Sequence, residues 1–139
     1  YQQKILLKNK YKRSFQSISV EGTATPGNPV PLTINLFNPL SANEGYILAM
    51  SLGNTPGFTY QNYNIPLNFD ILFSLSVFFP TIINLQNSIG SLNNNGEFFA
   101  TWQIPSWFPS GLTVYFAFVT VNSEGQITYA SPATPLTIS

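Results

Sequence analysis

Hydrophobic and polar residues alternate with a period of two in several short segments of the chain. The most regular segment is Leu112–Val121, in which both the even-numbered and the odd-numbered positions are largely apolar. Apolar character on both faces is typical of a strand in the interior of a sheet. We therefore predict that Leu112–Val121 is a central β-strand.

Other short apolar runs, separated by Gly, Pro and Asn, predict further strands. They are residues 14–21, Leu32–Phe37, Tyr46–Leu52, Leu85–Leu92, Glu97–Ile104, Gln126–Ala130 and Leu136–Ile138. Asn93–Gly96 and Asn122–Gly125 predict turns, because Asn and Gly tolerate positive φ. Seven to nine strands at spacings of about ten residues, with no long helical period, predict an all-β fold. We expect an antiparallel β-sandwich, Ig-like or jelly-roll-like, with an extended N-terminal arm.

The region between the third and fourth of these strands has a mixed pattern. Residues 53–68 are rich in Gly, Pro, Asn and Tyr and are predicted to be irregular. Asn68 and Asp70 can cap a helix, so the first half of Phe69–Phe79 predicts one helical turn. Its second half, Leu72–Phe79, has a more β-like composition.

The charged residues are segregated along the chain. All five cations lie in residues 1–13, and all five acids follow, so residues 1–13 carry +5 and residues 14–139 carry −5. This division predicts a basic arm over 1–13 and one β-sandwich domain over 14–139. The arm has three interpretations: a solvated remnant of processing, a segment that docks on the acidic body of a neighbouring copy, or a binder of polyanions. Because the arm has few aromatic residues, we do not expect nucleic acid as its partner.

The arm also contains an apolar triplet, Ile5-Leu6-Leu7, which is costly to leave in water and is expected to pack on a protein surface. We predict that residues 1–13 add a strand to a sheet edge of a neighbouring copy. Ile5 and Leu7 would share one face of that strand, and Lys8, Lys10 and Lys12 would share the other with Leu6. The predicted subunit interface consists of Ile5, Leu6, Leu7, Lys8, Lys10, Lys12 and Arg13.

The sequence contains few side chains that could act as a catalytic acid, base or nucleophile. It contains no His and no Cys, which removes the commonest bases, nucleophiles and soft metal ligands. The acids are scattered singly; Asp70 and Glu97 would have to meet in space to form a catalytic pair. No calcium-loop or phosphate-loop motif is present. We expect no enzymatic activity, no metal site and no cofactor.

Composition bears on the location of the protein. Charged residues make up 7% of the chain and hydrophobic residues 44%, with polarity supplied by Asn, Ser, Thr and Gln. Its longest apolar runs are far shorter than the roughly 20 residues of a spanning helix, so no membrane span is expected. The chain opens at Tyr1, which we interpret as a processed start. We expect an extracellular or cell-surface protein.

Aromatic residues beside amides suggest a second kind of site. Tyr60, Asn62, Tyr63 and Trp107 combine rings with hydrogen-bonding groups, as carbohydrate-binding sites do. The alternative interpretation is packing: Trp102 in the core and Trp107 holding a loop between Pro105 and Pro109.

Several stretches together resemble a C-terminal β-domain of secreted proteins from planctomycete-like bacteria. They are Leu52–Gly57, Ile65–Phe73, Gly90–Gly96, Gly111–Gly125 and Ala130–Pro132. The resemblance covers about residues 45–138 and implies a secreted, β-rich protein, without any assigned activity or catalytic residues.

These observations lead to three hypotheses of function. The first is a structural subunit of an extracellular assembly, such as a filament, sheath or surface layer, in which copies of the chain are joined by exchange of the arm. The second is a secreted adhesion or carbohydrate-binding module that recognises surface polysaccharide. The third is a viral capsid subunit with a basic arm.

Overall fold

The structure, a computed structural model, describes residues 16–139. The predicted arm, with all of its proposed interface residues, lies outside the described residues. Residues 16–139 form eleven strands and one α-helix. Their bounds are β1 Ile18–Glu21, β2 Leu32–Phe37, β3 Gly45–Ser51, β4 Phe58–Tyr60, β5 Tyr63–Ile65, α1 Ile71–Phe78, β6 Leu85–Gln86, β7 Ile89–Ser91, β8 Glu97–Trp102, β9 Thr113–Val121, β10 Ile127–Ala130 and β11 Thr134–Thr137.

Two antiparallel sheets form a β-sandwich, which confirms the predicted fold class. Sheet A has the strand order β1-β2-β8-β6, and sheet B has the order β10-β9-β3-β7. Strand β11 pairs with the first half of β9, on the same side as β10. Apart from β7 and β11, this is the strand order of immunoglobulin constant-type sandwiches, in which strands A, B, E and D face strands G, F and C.

The main core lies between the two sheets and follows the predicted alternation. Leu32, Ile34 and Leu36 of β2 face inward, opposite the even-numbered apolar residues of β9. Trp102 is fully buried, and its indole N–H donates to the carbonyl of Ile83 at 2.8 Å. Strand β9 lies between β3 and the β10–β11 edge, so the prediction of a central strand over this segment is confirmed.

The register places the described part of the N-terminus and three acids at the same end of the sandwich. Ile18 pairs with Leu36, at the end of β2 where Glu97 pairs with Phe37. Gly45 pairs with Val121, so Glu44 and Glu124, which flank these residues, lie at that end as well. We call the end that carries Glu44, Glu97 and Glu124 the acidic end.

Residues 52–84, between β3 and β6, cover part of the outer face of sheet B and the open edge of β3; we call them the insertion. It contains the β4–β5 hairpin and α1, and it packs a second apolar cluster against the sheet. The buried members of that cluster are Ala49, Ile65, Leu67, Phe73 and Ala117. The prediction that residues 53–68 are wholly irregular was therefore wrong, since this stretch contains the hairpin.

Helix α1 also differs from the prediction. The helix continues to Phe78, so the β-like interpretation of Leu72–Phe79 was wrong. Asp70 caps it: one carboxylate oxygen accepts from the Phe73 N–H at 2.9 Å, and the other accepts from the Leu52 N–H at 2.8 Å. Leu72, Phe73 and Ser76 then fall on one buried helical face against sheet B. Among residues 16–139, no helix is long and apolar enough to cross a bilayer.

Candidate functional site: an apolar groove on sheet B

A groove of about 430 Å³ lies between the outer face of sheet B and the insertion. Its floor is formed by outward-facing residues of β3 and β9: Ile47, Ala49, Ala117, Val119 and Val121. Its walls come from the insertion and include Phe58, Ile65, Leu67, Phe73 and Val77. The groove is therefore a gap between two packed layers of the protein.

Two small residues of the floor, Ala49 and Ala117, are buried beneath the insertion. Ala49 and Ala117 are register partners on neighbouring strands, so their methyl groups lie side by side. Each is flanked along its strand by a larger outward-facing residue, such as Ile47 or Val119. Longer side chains at the two alanine positions would displace the insertion residues packed on them or extend into the groove.

The rim of the groove is apolar and open to solvent. Phe69 and Phe78 are 72% and 68% exposed, and both line the groove. Glu, Asp, Lys and Arg are absent from its lining in the described part of the chain. The groove therefore suits an aliphatic or aromatic group and offers no acid or base for chemistry.

The tip of the β4–β5 hairpin closes one side of the groove against the edge of sheet B. Gln61 and Asn62 form a two-residue turn with φ of 51° and 68°. The Gln61 side chain accepts from the Ile127 N–H at 2.6 Å and donates to the Gly125 carbonyl at 3.4 Å. Gln61 thus hydrogen bonds to backbone of the β9–β10 turn and of β10, where an added strand would otherwise pair.

An acid adjoins each end of the groove. Gly125 lines it next to Glu124 of the acidic end, and Phe69 lines it next to Asp70. Every Lys and Arg of the protein lies in residues 1–13, so the described body has acids but no cations. The field around the groove consequently favours a ligand with positive charge at its ends.

The structure separates the residues predicted to bind glycans. Tyr60, Asn62 and Tyr63 lie together on the β4–β5 hairpin, and Tyr60 lines the groove. Trp107 lies in the loop before β9, whereas the hairpin tip contacts the turn after β9. The length of β9, roughly 26 Å at 3.3 Å per residue, separates the two places. The packing interpretation of Trp102 is confirmed, but Trp107 is 61% exposed and does not bury its ring in the loop.

The predicted candidate pair of carboxylates is separated as well. Asp70 binds backbone just beyond the C-terminal end of β3, while Glu97 lies at the acidic end, near the N-terminal end of β3. Among residues 16–139, no cluster of three or more potential metal-ligating side chains is found.

A buried phenol near the acidic end has a structural role. Burial raises the pKa of Tyr46 to about 12, because the charged form would lose its hydration. Its hydroxyl donates to the Asn87 carbonyl at 2.6 Å. A Cβ on Gly90 would lie only 3.0 Å from this hydroxyl oxygen, so glycine lets β7 approach the ring. The arrangement joins β7 to β3 and offers no open surface.

Sequence reasoning missed the groove, although one signal was present. The two-faced apolar pattern of Leu112–Val121 implied that the outer face of this strand is covered, and Ala117 is the smallest residue of the segment.

Comparison of the chain with protein-family models, curated proteins and solved structures finds no match. The resemblance to the planctomycete-type domain therefore stays a prediction.

Proposed function

We propose that this chain is a non-catalytic structural subunit that assembles with copies of itself outside the cell or on the cell surface, through its N-terminal arm. The observation that carries the proposal is the division of charge between arm and body. Residues 1–13 hold all five cations, and three of the five acids lie at the acidic end. An arm of one copy is thus attracted to the body of the next, although the net charge of the chain is zero.

The exposed apolar surface supports the same proposal. Residues 71–96 contain no charged side chain, and five of their large apolar residues are more than half exposed: Ile71, Phe78, Phe79, Ile82 and Ile89. Apolar surface without charge does little to resist association. Contact between copies would remove part of it from water.

The free edges of sheet B favour binding through side chains over a long added strand. Gln61 binds backbone at the edge of β10, Pro135 lies in β11, and β7 has three residues. Proline and short length both limit strand addition at an edge.

A contact that propagates from arm to body in one direction would build a filament.

The test is the particle size of the full-length chain by sedimentation velocity, over a range of concentrations and salt. We expect large particles that shrink when Lys8, Lys10 and Lys12 are all changed to Glu. The matched control changes the same three residues to Arg, which keeps the charge and should keep the particles. Higher salt should weaken assembly, because exposed charges are screened over about 8 Å at physiological ionic strength.

Two results would overturn the proposal. One is an intact chain that stays monomeric at high concentration. The other is a Glu variant that forms the same particles as the Arg variant. In either case a glycan panel with Tyr60→Ala and Trp107→Ala variants becomes the next experiment, because the adhesion hypothesis would then come first.

A further inference from the structure

The groove on sheet B presents an apolar surface that the described residues leave without a partner. Its floor is made of aliphatic side chains, and two exposed phenylalanines, Phe69 and Phe78, stand at its rim. Burial of apolar surface is favourable in proportion to the area removed from water. An apolar segment with the right charges beside it would therefore bind there.

The arm contains a segment with this chemistry. The sequence Lys4-Ile5-Leu6-Leu7-Lys8 places three aliphatic residues between two cations. The groove has the opposite charges in the same arrangement: its lining is uncharged, and the acids Asp70 and Glu124 follow or precede lining residues in the chain. In extended form, Lys4 and Lys8 lie roughly 13 Å apart along the backbone, and their long side chains extend this reach.

The described chain enters the sandwich at the acidic end, at the edge that β10 forms in sheet B. The Ser17 carbonyl accepts from the Phe37 N–H at 2.9 Å, and the Ser17 hydroxyl bonds to that of Tyr129 on β10. Ten residues separate Leu7 from Ser17, which is at most about 36 Å of extended chain. This length sets the largest distance that can separate Ser17 from the groove that its arm occupies.

To reach the groove of its own copy, the arm would have to pass around the edge of sheet B. Strand β10 lies between Ser17 and the groove, and the hairpin tip is joined to it through Gln61. An arm that served its own body would have to pass around the β9–β10 turn. The proposed assembly requires an arm that leaves its own body for a neighbouring copy.

We propose that Ile5, Leu6 and Leu7 of one copy occupy the groove of a neighbouring copy, with Lys4 and Lys8 directed to Asp70 and Glu124. Side chains of an extended segment alternate, so Ile5 and Leu7 face the half-buried floor residues Ile47, Val119 and Val121 while Leu6 faces the rim. This inference rests on the proposed function and names the site that the arm uses.

The first experiment is complementation between two full-length variants, followed by sedimentation velocity. The donor-dead variant carries Ile5→Asp and Leu7→Asp. The acceptor-dead variant carries Ala117→Leu, or Val121→Phe if the first does not fold; both changes fill the groove floor. Each variant alone should associate at least about 100-fold more weakly than the wild type, since the two apolar anchors are lost or excluded. Mixed together, they should form a one-to-one pair, because one intact arm meets one intact groove.

The matched control for groove filling is Ala133→Leu, in the link between β10 and β11 and outside the groove lining. It should assemble as the wild type does. If the mixture contains no pair, the neighbour-docking inference is wrong. If Ala117→Leu and Val121→Phe both fold and assemble normally, the groove is not the docking site.

The second experiment uses the absence of native Cys. The double variant Leu6→Cys, Phe78→Cys pairs two positions at the rim of the groove and should form disulfide-linked ladders on mild oxidation. In the control, Leu6→Cys is combined with Val30→Cys, which is exposed but outside the groove, and no ladder should form. A disulfide within single chains would overturn docking in trans, and absence of any groove cross-link would overturn the site.

The two proposals fail differently. If the Lys-to-Glu variant and the donor-dead variant both lose assembly while groove-filling variants keep it, the arm joins copies at another surface. If none of these changes alters the particle size, the structural-subunit proposal fails as well.

Discussion

Ser76 on α1 binds the backbone of Met50 on β3, where that strand has no neighbouring strand beyond it. The Ser76 hydroxyl accepts from the Met50 N–H at 3.0 Å and donates to the Phe73 carbonyl at 2.9 Å. A side chain of the insertion thus satisfies an amide at an open edge of sheet B. Gln61 does the same for Ile127 at the opposite edge, so the insertion protects both sides of the sheet.

Ser76→Ala should lower the free energy of unfolding by about 1–3 kcal/mol, because it leaves the buried Met50 N–H without a partner. The measurement is urea unfolding under conditions where the protein is monomeric. Ser74→Ala is the matched control, since Ser74 is exposed on the same helix. Equal unfolding midpoints for the two variants would show that the Ser76 hydrogen bond adds nothing.

Gly96 and Gly125 have similar backbone conformations but differ in the space available for a side chain. Their φ values are +75° and +77°, but a Cβ on Gly96 would lie 2.3 Å from the Asn38 carbonyl oxygen, whereas one on Gly125 would meet nothing within 4 Å. Gly125→Ala should cost about 1–2 kcal/mol for the left-handed conformation alone. Gly96→Ala should cost at least about 2 kcal/mol more, because the connection from β2 must move. Thermal unfolding of the two variants gives the comparison, and similar losses would contradict the close approach.

Tyr46 should make the protein sensitive to high pH. Its pKa is about 12 in the folded state against about 10 when unfolded, so the folded state holds the proton more tightly. Its contribution is fully present below pH 10 and is lost as pH rises from 10 to 12, by about 3 kcal/mol in total. Urea unfolding from pH 8 to 12 measures this slope. Tyr46→Phe should flatten it, and an unchanged slope in that variant would exclude Tyr46 as its source.

The two tryptophans should report different environments. Trp102 is fully buried and Trp107 is 61% exposed. In Trp107→Phe, the remaining emission should be blue-shifted and resist quenching by acrylamide. In Trp102→Phe, the remaining emission should be red-shifted and strongly quenched. Comparable quenching in two folded variants would contradict the placement of Trp102 in the core.

The sandwich could be predicted from the sequence because its signals are local. The period of two in Leu112–Val121 depends on which side chains meet water, and it marks a strand without knowledge of its partners. The turn at Asn93–Gly96 is likewise encoded in the turn itself. The Asn93 side-chain oxygen accepts from the N–H groups of Asn95 and Glu97, and Gly96 has positive φ.

Helix α1 was predicted for only one turn because its composition and its environment favour different structures. Phe and Val are enriched in strands, and Leu72–Phe79 contains three Phe and one Val. The cap by Asp70 favours the helix, and so does burial of Leu72, Phe73 and Ser76 against β3. The burial depends on a tertiary contact that the local pattern does not contain.

The groove could not be predicted for a related reason. Its floor combines side chains that are brought together by the pairing of β3 with β9, and that register is a property of the assembled sheet. The arm residues that we assign to it were recognised from charge and hydropathy alone. The sequence therefore identified the chemical character of the arm, whereas the groove that we assign to it was found only in the structure.

The pairing of β2 with β8 has a consequence for how fast the protein folds. Leu32 pairs with Trp102, which lies 70 positions later in the chain, so sheet A forms only after a long loop has closed. Proteins dominated by such distant pairings fold over milliseconds to seconds, whereas the β9–β10 hairpin can form within about 1–10 μs. The insertion lengthens this loop. Because the entropic cost of closing a loop grows slowly with its length, each doubling of the loop adds only about 0.6 kcal/mol to that cost. Stopped-flow fluorescence of Trp102 in Trp107→Phe would follow the slow step, and burial of Trp102 that is already complete within the mixing time would contradict this order of events.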